Sequence, residues 1–92
     1  MSGTGIEKIF TIKNRLGLHA RAAAKFVNVA NKYSCEILVA KDGREINGKS
    51  IMGILILGAS CGTKITIRAV GVDAEEAIKG LGTLIEDGFG ED

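Results

Sequence analysis

Apolar and polar residues alternate in three segments of the chain, and alternation with a period of two predicts strands. The three segments are residues 6–13, 35–41 and 63–69. The last alternates cleanly, whereas Ile9 falls on the polar side of the first. Asp42 and Gly43 form a tight-hairpin signal, so a short return strand over residues 44–47 is expected to follow the second segment.

Two further segments carry apolar residues at the spacing of an amphipathic helix. Residues 20–33 are rich in alanine, a strong helix former, and a second apolar stripe runs from Ala74 to Ile85. We expect Asp73 to cap this second helix, with Glu76 as its partner in a capping box. The two ends of the chain, "MSGTG" and "GFGED", are glycine-rich, and both are expected to be loose.

The segment "IMGILIL", residues 51–57, is ambiguous. It is short, apolar and rich in isoleucine, so its propensity favours a buried strand. Ser50 before it is a good helix N-cap and Gly58 after it is a plausible helix stop, so the residues alone leave both alternatives open. With this segment undecided, the order β-α-β-β-(?)-β-α predicts an α+β open sandwich, with helices on one face of an antiparallel sheet.

Length, composition and charge narrow the classes of function. The 92 residues are expected to form a single domain, and 46% hydrophobic residues suffice for one small core. The 12 basic and 11 acidic residues nearly balance, and few side chains are aromatic, which argues against binding to nucleic acid. The longest apolar run, "ILIL", is too short for membrane insertion. Because "MSGTGIEKIF" lacks the pattern of a signal peptide, a cytoplasmic location is expected.

The cysteines do not indicate a metal or redox site. Cys35 and Cys61 have neither zinc-ligand nor CxxC spacing, and the chain holds a single histidine. We therefore expect no metal and no cofactor, and interpret both cysteines as reduced thiols that behave as small apolar side chains.

The single histidine lies in "LGLHARAAAKF", at the predicted start of the first helix. A helix N-terminus presents unpaired backbone N–H groups and a partial positive charge, which suit a phosphate. Arg21 adds a forked guanidinium donor, and Gly17 allows the sharp turn that leaves His19 exposed. A neutral imidazole is a nucleophile, so the local chemistry suits a histidine that accepts and releases phosphate. Without further information, a surface histidine with no role remains the alternative.

The segment "NRLGLHARAAAKF" resembles the active-site segment of the HPr family, the histidine-containing phosphocarriers of the phosphoenolpyruvate phosphotransferase system. "DGREINGKSIMGILILGASCGT", "KITIRAVGVDAEEAI" and "LIEDGFGED" resemble later family segments in the same order, the last being similar to nitrogen-branch members. The resemblance implies an open-faced sandwich of order βαββαβα, with three helices packed on one face of a four-stranded antiparallel sheet. It also implies that residues 51–57 form a short helix.

The resemblance implies roles for individual residues. His19 would carry a phosphoryl group on Nδ1, received from enzyme I and passed to enzyme IIA domains, without independent enzymatic turnover. Arg21 would steady the phosphate, together with the backbone N–H groups of residues 20–22. These three residues are Ala20, Arg21 and Ala22. Where the family usually has proline after its active-site arginine, this chain has Ala22; because proline suits a first helical turn, we expect Ala22→Pro to be tolerated.

Ser50 would be the regulatory serine that HPr kinase/phosphorylase modifies in some bacteria, although an N-capping serine stabilises a helix without any kinase. Partner docking would involve residues around the short helix. These are Lys49, Ile51, Met52 and Leu55. On general grounds, Met52 and Leu55 are better explained as core residues, and only the resemblance favours docking. We expect a monomer.

Two alternatives to a phosphocarrier follow from other classes of protein. The chain is also interpretable as a regulatory interaction protein of the nitrogen branch, in which His or Ser phosphorylation acts as a switch. A small ligand-binding α+β module, in which His19 has no function, is the other alternative.

Overall fold

The structure is a computed structural model, and it describes residues 5–91. In chain order, these residues form β1 (Gly5–Thr11), α1 (Ala20–Ala30), β2 (Glu36–Lys41), β3 (Arg44–Asn47), α2 (Ile51–Leu57), β4 (Lys64–Val70) and α3 (Ala74–Glu86), followed by a 3₁₀ turn (Gly88–Gly90). The order βαββαβα implied by the resemblance is confirmed. Gly5 belongs to β1, so it is not loose as expected, and residues 1–4 of "MSGTG" lie outside the described residues.

The four strands form one antiparallel sheet in the order β1-β4-β2-β3. The first and last strands along the chain are therefore neighbours, and Phe10 pairs with Ile65 across them. On the other side of β4, Ile67 pairs with Val39. Paired residues share a face of the sheet, and these four side chains are buried. The helices cover that face, which confirms the open-faced sandwich.

The segment 51–57 is a helix, so the strand favoured by its propensity is wrong and the helix implied by the resemblance is confirmed. Its two ends explain the outcome. The Oγ atom of Ser50 accepts a hydrogen bond from the backbone N–H of Gly53 at 3.0 Å, and Gly58 adopts the left-handed conformation, with φ of 64°, that favours glycine after a helix. Only Ile54 and Leu57 of α2 are buried, so the segment needs one apolar stripe rather than two apolar faces.

Asp73 is the N-cap residue of α3, as predicted, but the capping box predicted with Glu76 does not form. The carboxylate of Asp73 makes no cap bond; it accepts hydrogen bonds from the backbone N–H groups of Ser34 at 2.7 Å and Cys35 at 2.8 Å. These bonds lower the pKa of Asp73, and the bond from Ser34 contributes most. Together they outweigh the partial desolvation of the carboxylate, which acts in the opposite direction. Asp73 therefore ties the start of α3 to the start of β2, because its carboxylate found donors outside its own helix.

Two smaller expectations also need correction. The first helix ends at Ala30 rather than residue 33, and the backbone N–H of Asn31 closes it with bonds to Val27 and Val29. Cys35 is buried as expected, and desolvation raises the pKa of its thiol, whereas Cys61 is exposed in the turn before β4. Within residues 5–91, no helix has the length and apolar character needed to cross a membrane.

The segment after α3 is ordered, so the loose tail expected for "GFGED" is wrong for its described part, residues 88–91. Gly88, Phe89 and Gly90 all adopt positive φ, at 63°, 58° and 72°. For a non-glycine residue such as Phe89 this conformation costs about 1–2 kcal/mol, a cost offset by the complete burial of its ring. Lys25 donates a hydrogen bond from Nζ to the carbonyl of Phe89 at 2.7 Å. The three left-handed residues return the chain toward α1 and deliver Glu91 there.

Candidate functional site

His19 is the N-cap residue of α1, with extended φ and ψ of −76° and −179°. Its carbonyl accepts the first intrahelical bond, from the backbone N–H of Ala23 at 2.8 Å, while its side chain makes no capping bond. The side chain is 28% exposed. The imidazole is therefore fixed at its base by the helix and remains reachable from solvent, as the sequence predicted.

Gly17 makes the turn that leads into His19. It has φ of +67°, and a Cβ atom at this position would lie 2.6 Å from the carbonyl oxygen of Ala59. The next residue, Leu18, donates its backbone N–H to that same carbonyl at 2.9 Å. The loop before α1 is thus packed directly on the segment that follows α2, and only glycine satisfies both the backbone conformation and the close approach.

The first turn of α1 supplies unpaired donors beside the imidazole. Because the first intrahelical bond comes from the N–H of Ala23, those of residues 20–22 have no partner inside the helix. They carry the positive end of the helix dipole. Arg21 is exposed, and it lines a shallow cavity of about 120 Å³ together with Arg15, Leu16 and Glu91. Two guanidinium-bearing residues therefore border the region next to His19.

Glu91 contacts the imidazole, a role that the sequence pattern did not indicate. Its Oε2 atom lies 2.8 Å from Nε2 of His19, and its Oε1 atom accepts a hydrogen bond from Nδ2 of Asn14 at 3.1 Å. Asn14 is completely buried and also donates to the carbonyl of Gly17 at 2.7 Å. These contacts lower the pKa of Glu91: the Asn14 bond contributes most, then the His19 bond, and the charge of Lys25 adds to them. Within residues 5–91, Nδ1 of His19 has no hydrogen-bond partner.

No local pattern in the sequence could have identified this contact, because His19 and Glu91 are 72 positions apart. Two weak signals do exist. Asn14 is a polar residue at the end of an apolar strand, and Phe89 is an aromatic residue inside a glycine-rich segment that otherwise reads as loose. A buried aromatic anchor in such a segment indicates that the segment folds back on the core.

The residues predicted for docking mostly lie on the exposed face of α2. Ile51, Met52 and Leu55 are exposed, and so is Ile56, which the sequence analysis did not select. Lys49 differs from the expectation, because its Nζ atom donates to the carbonyl of Tyr33 at 2.6 Å and so reaches toward the end of α1. Leu16 is also exposed; it lies in the loop before His19 and lines the cavity that contains Arg21 and Glu91.

A second cavity contains none of these residues. It is a groove of about 530 Å³ between β1 and α3, and Lys8, Phe10, Ile78 and Lys79 are among its lining residues. In residues 5–91, no cluster of three or more histidine, cysteine or acidic residues is arranged to hold a metal ion. The chemistry that the structure assembles is therefore that of one imidazole, helix amides, guanidinium groups and a carboxylate.

The fold and the site together define a class, that of small carrier proteins that present one histidine to a phosphoryl group at a helix N-terminus. A comparison with protein families supports the same class: the family model described as "PTS HPr component phosphorylation site" matches residues 6–87. The chain belongs to the HPr family, the phosphocarriers of the phosphotransferase system.

Individual relatives agree along nearly the whole chain. A "Phosphocarrier protein HPr" of Xylella fastidiosa is 45% identical over 87 residues, covering 95% of this chain and 98% of that one. The crystal structure of HPr-C-His from Thermoanaerobacter tengcongensis is 53% identical, has a TM-score of 0.92 and is matched over 95% of this chain and 98% of that one. A structure from the same organism described as an HPr dimer is 55% identical, with a TM-score of 0.77 over 89% and 94% of the two chains.

Proposed function

We propose that this chain receives a phosphoryl group on Nδ1 of His19 from enzyme I and passes it to enzyme IIA domains. The observation that supports this most directly is the imidazole at the N-terminus of α1. Its Nε2 atom is bonded to Glu91, while Nδ1 is free among the described residues and shares its helix end with the unpaired N–H groups of residues 20–22. A partly exposed imidazole with one nitrogen free of hydrogen bonds, beside a helix end that can bind an anion, provides what a phosphoryl carrier needs.

The transfer itself needs positioning and charge stabilisation more than acid-base chemistry. The lone pair of Nδ1 attacks phosphorus in line with the bond to the donor, and the helix amides and the Arg21 guanidinium offset the negative charge on the phosphoryl oxygens. The same groups stabilise the phosphoryl group until an acceptor arrives. The carrier therefore takes part in stoichiometric exchange, without its own turnover and without a metal or cofactor.

Incubation with phosphoenolpyruvate and enzyme I, followed by intact mass measurement, tests this function. We expect a gain of one phosphoryl group that is lost in acid and that maps to His19. Transfer to sugar-specific and nitrogen-branch enzyme IIA domains then identifies the branch. No gain of mass would contradict the proposal and would favour a ligand-binding module instead.

The exposed face of α2 is proposed as the docking surface for these partners. Ile51, Met52 and Leu55 project from it into solvent, with Met52 being 66% exposed. Several exposed apolar side chains on one short helix are typical of a protein interaction site. Lys49 remains a proposed docking residue for an acidic partner surface, although its ammonium group donates a hydrogen bond to the Tyr33 carbonyl. One copy supplies every group of the site, so we propose that the chain acts as a monomer. We also propose that it acts in the cytoplasm.

A negative charge at Ser50 is expected to slow phosphoryl acceptance. Ser50 begins α2, beside the proposed docking surface, and a phosphate there would add about two negative charges. These would repel a phosphorylated donor. We expect Ser50→Asp to lower kcat/KM for acceptance from enzyme I by about tenfold, with a smaller effect at high salt. HPr kinase/phosphorylase, where the host has it, would produce the same effect by modification.

Ser50→Ala is the matched control, because it removes the N-cap bond to Gly53 without adding charge. It is expected to cost about 1 kcal/mol of stability and to accept phosphate as the unchanged chain does. Equal rates for Ser50→Asp and Ser50→Ala would refute an inhibitory role for charge at this position.

Replacing Ala22 by proline is expected to preserve both the fold and the transfer. Ala22 is the third residue of α1, and its N–H has no intrahelical partner to lose. Proline is tolerated in a first helical turn for that reason. Thermal unfolding and the acceptance rate are the measurements. If the variant folds but accepts phosphate much more slowly, then the N–H of Ala22 itself binds the phosphoryl group.

A further inference from the structure

A series of hydrogen bonds runs from Asn14 through Glu91 to His19. Asn14 is buried and held by the Gly17 carbonyl, so its second donor bond to Oε1 of Glu91 has a fixed origin. Oε2 of the same carboxylate then meets Nε2 of His19 at 2.8 Å. Because a carboxylate accepts hydrogen bonds and does not donate them, this contact requires the imidazole proton to be on Nε2.

The segment that carries Glu91 is held in place by specific contacts. The ring of Phe89 is completely buried, its carbonyl accepts a bond from Lys25, and left-handed residues on both sides of it direct the chain back to α1. Glu91 is only 15% exposed at its side chain. Holding a partly desolvated carboxylate beside the imidazole costs free energy relative to a carboxylate in water. Stability alone therefore does not explain why the anchored segment places Glu91 here.

We propose that Asn14 and Glu91 form a positioning pair that keeps the proton of His19 on Nε2 and thereby makes Nδ1 the nitrogen that accepts phosphate. This inference rests on the proposed function and deepens it. Glu91 acts on the ring, and Asn14 acts through Glu91.

The pair has a defined part in the transfer step. The lone pair of Nδ1 forms the new nitrogen–phosphorus bond, the bond between phosphorus and the donor's nitrogen breaks, and its electron pair stays with the donor. The imidazole of His19 becomes positive as the bond forms, with its proton still on Nε2, and the carboxylate of Glu91 offsets this charge. In onward transfer the proton again stays on Nε2, so the ring leaves as neutral imidazole rather than as an anion.

Other charges around the ring act in the opposite direction. Arg21 and the helix N-terminus lie on the same element as His19, and Arg15 comes from the preceding loop. Lys25 lies six residues after His19 on α1, and its charge acts on Glu91. Each of these positive groups disfavours a positive imidazole, while each favours the phosphoryl group. Among these groups Glu91 is the carboxylate in contact with the ring, so its removal leaves the developing positive charge without a partner.

The first test uses the free protein, without any transfer partner. Nitrogen NMR of His19 reports which ring nitrogen carries the proton, and the exchange rate of that proton with water reports whether it is held. We expect Nε2–H with slowed exchange in the unchanged chain, retention in Glu91→Gln, which keeps an acceptor oxygen, and fast exchange in Glu91→Ala. Glu86→Gln is the control, because Glu86 is an exposed acid of α3 paired with Lys13. Slow exchange in Glu91→Ala, or a proton on Nδ1 in the unchanged chain, would overturn the proposal.

The second test measures acceptance from phosphorylated enzyme I. Glu91→Gln should lower kcat on the order of tenfold with KM unchanged, since the charge acts on the ring and not on docking. Asn14→Ala should slow acceptance, and the double variant with Glu91→Ala should be no slower than Glu91→Ala alone, because both act through one carboxylate. Additive effects, or a change in KM alone, would refute the pair.

Stability and function are separated in these tests. Thermal unfolding identifies an Asn14 variant that fails to fold, in which case the two Glu91 variants decide the question. If the unchanged chain holds its proton on Nε2 but accepts no phosphate, then the proposed function fails while the hydrogen-bond arrangement stands.

Discussion

Replacing His19 by glutamine is expected to abolish phosphoryl acceptance completely. Glutamine has similar length and a polar end, so the N-cap backbone and the first turn of α1 should remain in place. Its amide nitrogen has no available lone pair, so it cannot form a stable bond to phosphorus. The helix amides and Arg21 are then left with no nucleophile to serve. No other histidine exists in the chain to replace it.

The measurement is intact mass after incubation with phosphoenolpyruvate and enzyme I. The unchanged chain should gain one acid-labile phosphoryl group, and His19→Gln should gain none at any time point. Circular dichroism should show equal helix content in both, since His19 makes no side-chain capping bond. An acid-labile gain in His19→Gln would place the acceptor on another residue and end the present assignment.

Gly17→Ala is expected to be the most damaging single-methyl change near the site. It forces a side chain into φ of +67° and places Cβ 2.6 Å from the Ala59 carbonyl and 2.8 Å from Cα of Ser60, which are both backbone atoms. Left-handed strain and steric overlap together should cost about 2–4 kcal/mol. For a domain of this size, that corresponds to a fall in Tm of more than about 10 °C. Acceptance should also slow, because relief of the clash moves His19.

Gly43→Ala separates these two contributions. Gly43 has φ of +81°, yet a Cβ atom there meets nothing within 4 Å, so only the backbone strain of about 1–2 kcal/mol should appear. Its transfer rate should match that of the unchanged chain, since the β2–β3 turn is not part of the site. Equal losses of stability in Gly17→Ala and Gly43→Ala would show that the loop before α1 yields easily and does not fix the histidine.

Much of the architecture was predictable from local patterns. The hairpin at Asp42 and Gly43 was interpreted correctly from its turn residues. The strand β4 and the stripe from Ala74 to Ile85 were interpreted correctly because each depends on the period of burial within one element. The helix α2 was not decided in this way. The propensity of its apolar run favoured a strand while Ser50 and Gly58 favoured a helix, and the resemblance to a family resolved this conflict.

The site residues also differ in whether neighbours in the sequence or contacts between distant elements determine them. The placement of His19, Gly17 and the first turn of α1 follows from neighbours in the sequence, so local patterns suffice to predict an accessible imidazole at a helix N-terminus. The role of phosphoryl acceptor came from the resemblance to the family. Asp73 is the N-cap residue of α3 as predicted, but its carboxylate makes no capping bond because it accepts hydrogen bonds from the backbone of Ser34 and Cys35 instead. A side chain with several possible partners takes the ones that folding brings near, and the sequence does not order them.

By itself, the sequence determined the order of elements, the helix start that presents His19 and the family to which the chain belongs. Only the tertiary structure decided that Glu91 meets the imidazole and Asn14 meets Glu91, and that Phe89 anchors the segment that carries Glu91. The physical reason is range. Periodicity, capping and turn chemistry act over a few residues, whereas a contact across 72 positions exists only after the core has closed and has fixed where each end of the chain lies.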